Sequence, residues 1–246
     1  MKKKIEKLKK INKIQKKKLV DSVFNSVAKK YDFMNDIMSY GLHRIWKQYT
    51  IKHIGIKNKM KILDLASGTG DLSIKIAKKI GKKGKIILTD INQIMLNIGR
   101  KKLRNLGIIK NIYYIQANAE NLPFCSNYFD CIVLSFGLRN IVNQENALKS
   151  IFRILKPGGR LLILEFSKPT YSLLSKIFNI YSFYLLPILG KIFVNDSKSY
   201  QYLAESIYLH PNQNILKKKI MSIGFQEVSY INIFGGIVAL HKCFKL

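Results

Sequence analysis

The chain has 246 residues, 48% of them hydrophobic, which suits one α/β domain with a substantial core. Its formal net charge of +29 points to anionic partners, yet only six of the 43 basic residues are arginine. Arginine is the better reader of phosphates and base edges, so lysines spread along the whole length argue against nucleic acid as the main partner. Cys125, Cys131 and Cys243 form no C-x-x-C pair and show no metal spacing. Reduced thiols in a cytoplasmic protein, and no metal, are the expectation.

In chain order, residues 1–18 read as a basic tail. Ile5, Leu8, Ile11 and Ile14 recur there every three positions among lysines. The pattern suits an anionic lipid surface as well as it suits a frayed, solvated segment. Residues 19–246 read as a single domain. Its first part, 19–56, is helical, with Val20, Phe24 and Val27 at helical spacing. Apolar runs at Lys61–Leu65, 86–89, 112–115 and 131–135 read as strands. A fifth, 160–166, follows the turn Lys156-Pro157-Gly158-Gly159. Between them, 93–106 and 144–155 carry apolar residues at three-and-four spacing. The alternation predicts a doubly wound, mostly parallel sheet. Two further runs, 224–231 and 236–242, are joined by 232–235 and predict a terminal antiparallel hairpin, for seven strands in all. Residues 167–210 interrupt this plan as a helical, apolar insertion. Its uncharged core, 177–190, is fourteen residues long. A spanning helix needs roughly 20, and Pro187 interrupts the run further. A buried helix or an interfacial segment would explain it. Departure from the carboxyl end of a strand favours a lid over an apolar substrate.

The stretch 61–73, KILDLASGTGDLS, is a strand, a small-residue loop and a helix start. A dinucleotide fingerprint would be G-x-G-x-x-G; here the third glycine is missing. Asp71 also puts a carboxylate where a diphosphate would want none. Asp90, twenty residues past Gly70, ends the next apolar run and can accept the hydroxyls of a ribose. The arrangement D-x-A-x-G-x-G from Asp64 to Gly70 resembles motif I of the S-adenosylmethionine-dependent methyltransferases, whose co-substrate carries a sulfonium and no phosphate.

Longer segments narrow the resemblance. The run YDFMNDIMSYGLHRIW at 31–46, RILKPGGR at 153–160 and LEFSKP at 164–169 resemble the ubiquinone/menaquinone biosynthesis C-methyltransferases. QANAENLPF at 116–124, SFGLRN at 135–140, Asn195-Asp196, 200–207 and VALH at 238–241 are similar to that family as well. The resemblance covers nearly the whole chain from about residue 20; Ser67 stands where many relatives carry another small residue. It implies a Rossmann-like fold and S-adenosyl-L-methionine bound by Asp64, Gly68, Thr69, Gly70, Asp90, Asn118, Ala119 and Ser135. It implies methylation of a ring carbon of a polyprenyl quinol, benzoquinol or naphthoquinol, which needs alignment, a proton acceptor and stabilisation of a phenolate. The candidates for that work are Arg139, Asn140 and Tyr31. Arg139, as a permanent cation, is expected to stabilise phenolate. Asp36 and His43 share the first motif; a single histidine there reads more readily as a packing or capping residue, and Trp46 as core. The implied partners are the quinol and an anionic membrane surface, with a homodimer or a quinone-biosynthesis complex compatible. The implied place is the inner face of the cytoplasmic membrane, peripherally attached. A methyltransferase for RNA or protein is disfavoured by the missing N-P-P-Y motif. A non-catalytic assembly partner is disfavoured by the intact loop.

Overall fold

Parallel strands covered on both faces need apolar side chains on both, and the apolar runs supply them. The computed structural model describes residues 12–246. The strands are β1 (Lys61–Leu65), β2 (Lys85–Asp90), β3 (Ile112–Gln116), β4 (Phe129–Ser135), β5 (Leu155–Phe166), β6 (Gln226–Ile233) and β7 (Val238–Phe244). They form one sheet in the order β3-β2-β1-β4-β5-β7-β6. Neighbours among β1 to β5 pair in parallel, and β7 runs antiparallel to both β5 and β6. Alternate residues feed opposite layers: Leu63, Leu65, Ile132 and Leu134 face one core, Ile62, Cys131 and Val133 the other. The order reverses where β1 sits between β2 and β4, so the crevice at their carboxyl ends is the natural ligand site.

Helices α1 (Lys13–Val27), α2 (Tyr31–Ser39) and α3 (Leu42–Ile54) precede the sheet. Of the helices between strands, α4 (Asp71–Ala77), α5 (Gln93–Asn105) and α6 (Gln144–Ile154) flank it. The insertion holds α7 (Ser172–Ile180), α8 (Leu186–Val194) and α9 (Ser197–Leu209), and α10 (Gln213–Ser222) leads into β6.

Three details differ from the sequence reading. The first helix starts at Lys13, so 13–18 are helix and not tail; Asn12 caps it, its side chain accepting from the Gln15 amide at 2.9 Å while Gln15 reaches back at 3.1 Å. Ile14 is exposed there, and Ile5, Leu8 and Ile11 lie outside the described residues. Lys156-Pro157-Gly158-Gly159 does not precede β5 but lies within it. The left-handed Gly158 (φ +75°) and a shift of register against β4 absorb the irregularity. Finally, Pro187 does not break the insertion. A π-helical turn at Tyr181–Leu185 joins α7 to α8, accommodating the missing N–H, and Ser172–Val194 runs as one 23-residue helix. By length and composition alone it could cross a membrane.

Candidate active site

The carboxyl ends of β1, β2 and β4 open onto two cavities with a common wall. One, of about 290 Å³, is lined by Trp46, Asp64, Arg139, Phe166, Phe178 and Tyr181 among others. The other, of about 110 Å³, is lined by Phe24, Asp90, Met95, Asn118, Ala119 and Asn140 among others. Tyr31, Ala66, Gly68, Ser135 and Phe136 face both. Two of these five, Ala66 (φ 52°) and Phe136 (φ 57°), hold left-handed backbone uncommon for residues with a Cβ, at the ends of β1 and β4. Such strain collects where a ligand needs the backbone close by.

The smaller cavity is polar at one end. Asp90 accepts the Gly68 amide through Oδ2 and the Asn92 amide through Oδ1, both at 2.8 Å, which fixes its carboxylate at the end of β2. Burial pushes that carboxyl above its ordinary range, against the pull of these amides. Helix α1 closes the cavity from outside: Val20 and Phe24 line it, and Asn92 Nδ2 donates to Asn25 Oδ1 at 2.7 Å. The sequence reading missed this cover, whose only signal was the Val20-Phe24 spacing.

Around the loop, Gly70 has a structural part. It lines neither cavity; its left-handed φ of +77° turns the chain into α4, and a Cβ there would lie 2.8 Å from Leu103 Cδ1. Its part is to let α5 pack against the loop. Thr69 lines the larger cavity but its hydroxyl donates to Asp32 Oδ1 at 2.5 Å. Asp71, read as a lone carboxylate repelling phosphate, is ion-paired with Lys47 at 3.0 Å and with Lys102. Burial opposes its ionisation, but the two lysines prevail and hold it well below the usual carboxylate range. Lys102 also pairs with Asp32 at 2.7 Å, which ties α2, α3, α4 and α5 together.

Asp64 forms part of the larger cavity's wall, 1% exposed, accepting the Ser73 hydroxyl at 2.6 Å. Burial pushes its carboxyl up to about 7. The hydroxyls of Ser67 and Ser135 are buried without a partner, at the common wall or beside it. A buried hydroxyl without a partner is costly, so a polar group beside these two would be well placed to bond them. Asp64, Asp90 and these serines therefore fit an adenosine with a charged amino-acid tail.

Arg139 is held on one side by a carboxylate. It is no free cation at a rim: it is 9% exposed, and Nη1 donates to Glu165 Oε1 at 2.8 Å and to the Phe136 carbonyl at 2.6 Å. Glu165, 1% exposed, also accepts the amides of Arg139 (3.2 Å) and Phe166 (2.9 Å). The Arg139 Nε is buried without a partner, and the residue lines the larger cavity. Asn140 faces the smaller one, its Oδ1 accepting from Tyr202 at 3.1 Å. Tyr31 faces both, and a third, smaller cavity is lined by Tyr31, Arg139 and Asn140 together, so the structure brings the three side by side.

His43, read as packing, lines the larger cavity, with Nε2 2.8 Å from Asp36 Oδ1 and Nδ1 buried without a partner. Burial lowers its pKa, more than the Asp36 contact raises it. Arg44 grips Asp36 through two bonds of 2.6 Å and holds its carboxyl at about 2. Trp46 is core, as read, but it also walls the cavity, with Phe136 at 6.1 Å and Phe166 at 6.3 Å.

The same sheet recurs among solved methyltransferases. A SAM-dependent methyltransferase from Aquifex aeolicus superposes with a TM-score of 0.60 at 17% identity, covering 96% of this chain and 100% of that one. Phosphoethanolamine N-methyltransferase 2 from Haemonchus contortus, solved with S-adenosyl-L-methionine, gives 0.61 at 16% identity over 81% of this chain and 52% of its own. The fold is thus that of the Rossmann-like methyltransferases. In sequence, the chain is 55% identical to the ubiquinone/menaquinone biosynthesis C-methyltransferase UbiE of Pasteurella multocida, covering 96% of this chain and 88% of that protein. The counterpart in Proteus mirabilis is 56% identical, with 96% and 94% covered. Residues 11–245 match the ubiE/COQ5 methyltransferase family, and the chain belongs to it.

Proposed function

We propose that this enzyme methylates a ring carbon of a polyprenylated quinol, 2-methoxy-6-polyprenyl-1,4-benzoquinol or demethylmenaquinol or both, in ubiquinone/menaquinone biosynthesis. The observation that carries the reading is the pair of cavities meeting at Tyr31, Gly68, Ser135 and Phe136, one of them walled by aromatic and aliphatic side chains. The relatives at 55–56% identity bear that activity in their names. The co-substrate, S-adenosyl-L-methionine, supplies an electrophilic methyl group when bound.

Asp90 would hold the ribose hydroxyls, Asn118 and Ala119 would border the adenine, and Asp64 would face the ammonium of the methionyl tail. Trp46, Phe136 and Phe166 hold the quinol ring in the larger cavity and exclude water from it. A ring carbon becomes nucleophilic only as a neighbouring hydroxyl loses its proton, so an oxyanion must be stabilised there. Arg139, its charge balanced and its orientation fixed by Glu165, would stabilise that oxyanion from the cavity wall. Tyr31, facing both cavities, aligns the ring against the methyl group. The polyprenyl tail keeps the substrate in a bilayer, so the enzyme works attached to the inner face of the cytoplasmic membrane.

Mass spectrometry of membrane quinones tests the reading. Expression in a host lacking its own quinol C-methyltransferase should convert accumulated demethylated quinols to methylated ones. Unchanged quinones, with methyl label entering RNA instead, would refute it.

A further inference from the structure

The helix Ser172–Val194 has two unlike faces. Leu174, Phe178, Tyr181 and Leu186 line the larger cavity. On the opposite face, Ile180, Tyr184, Ile188 and Ile192 recur every three or four residues and are 61, 65, 53 and 68% exposed. An exposed apolar stripe of this size on a folded protein marks a contact surface. It continues onto α2, where exposed Phe33 meets Phe193 edge-on at 6.2 Å. Resting on the lipid-quinol reading above, we infer that this helix lies flat in the interfacial layer of an anionic bilayer, and that the prenyl tail passes from the lipid beside it into the larger cavity.

Three observations choose lipid as the occupant. Residues 167–195 contain Lys168, Lys176 and Lys191 and no acid, a charge balance suited to anionic headgroups. The stripe backs directly onto the cavity, so the surface an apolar tail would leave and the space it would enter are separated by a single helix. And although the helix is long enough to span, its inner face is locked to the domain. A Cβ on Gly190 would lie 2.0 Å from Tyr200 Cδ2, the Leu174 side chain packs onto Gly235, and the Tyr181 hydroxyl donates to the Met38 carbonyl. A helix held along its length cannot turn across a membrane; it can only present its outer stripe, as interfacial helices do.

The test uses the full chain and vesicles of phosphatidylcholine with phosphatidylglycerol. In Ile188→Trp, the added emission, measured against the parent with its buried Trp46, should shift to the blue on vesicles. Bromines placed high on the acyl chain should quench it more than bromines near the bilayer centre. Strongest quenching at the centre, or none, overturns the inference. The triple variant Ile180→Glu, Ile188→Glu, Ile192→Glu should bind vesicles at least about tenfold more weakly, each charge opposing insertion. It should methylate a short-chain, water-soluble quinol at the parent's rate but lose turnover on long-chain quinol in vesicles. If the triple variant binds vesicles like the parent and instead loses a dimer in sedimentation, a second copy covers the stripe and the inference fails. If the parent does not methylate the short-chain quinol, the functional reading fails, while the vesicle result still decides the placement of the helix.

Discussion

The two cavities are made in different ways. The smaller takes its polar end from the sheet, with Asp90 at the end of β2 fixed by two amides, under the cover of Val20 and Phe24 from α1; Ala66, Gly68 and Phe136, in left-handed turns, serve both. The larger is built mainly from helical side chains, its far wall contributed by the insertion. A methyl donor of fixed shape is served by backbone geometry that substitution cannot easily move. A long apolar tail needs only apolar space, which many side chains can furnish. Chemistry shared across the fold sits on the sheet, and what is particular to this enzyme sits on its helices.

The larger cavity breaks hardest at Arg139, which Glu165 holds in its wall. Arg139→Ala should leave a buried carboxylate unpaired and cost about 3–5 kcal/mol in stability by denaturant unfolding. The paired replacement Arg139→Met with Glu165→Gln should cost much less yet still abolish turnover. A stable single variant with normal turnover would show that the pair neither braces the fold nor serves the reaction. Next in size, Asp90→Ala should weaken S-adenosyl-L-methionine binding by about 1–3 kcal/mol in calorimetry, because ribose hydroxyls lose their acceptor. It should leave affinity for a quinol analogue unchanged, which would sharpen the division between cavities; equal loss for both ligands would erase it.

A further test concerns Asp64. Its carboxyl lies near 7 when folded, against 3.8 as its ordinary value, because burial disfavours the charge. A carboxyl raised on folding contributes stability that is complete below the unfolded value and lost as pH climbs through the folded one. Asp36 and Asp71, held low, act oppositely and matter only in acid. Thermal unfolding of the ligand-free protein between pH 4 and 8 should therefore show a loss that Asp64→Asn reduces, the buried Asp90 carboxyl contributing the same sign. An identical slope in the variant would mean that the carboxyl titrates normally.

The sheet was legible because strands covered on both faces are continuous apolar runs, and β1 matches its expected bounds. Asp90 was legible because it ends such a run. The insertion's two faces were not: when Leu174 and Ile180 are equally apolar, sequence cannot tell cavity from surface. Nor could spacing show that Glu165 neutralises Arg139 from 26 residues away, or that Asp36 reaches His43. That last pair straddles the left-handed turn at Tyr40 and Gly41, which reverses the chain between α2 and α3.

Trp46 is the only tryptophan among the 246 residues, and it stands in the wall of the larger cavity. The protein thus carries its own optical probe of the substrate compartment. Its tryptophan emission has one source, shielded from solvent and within ring-contact distance of Phe136 and Phe166, so a ring entering the cavity changes the surroundings of the excited indole. Occupancy of the compartment is written into the emission of the unlabelled enzyme, independently of whether any methyl group has moved.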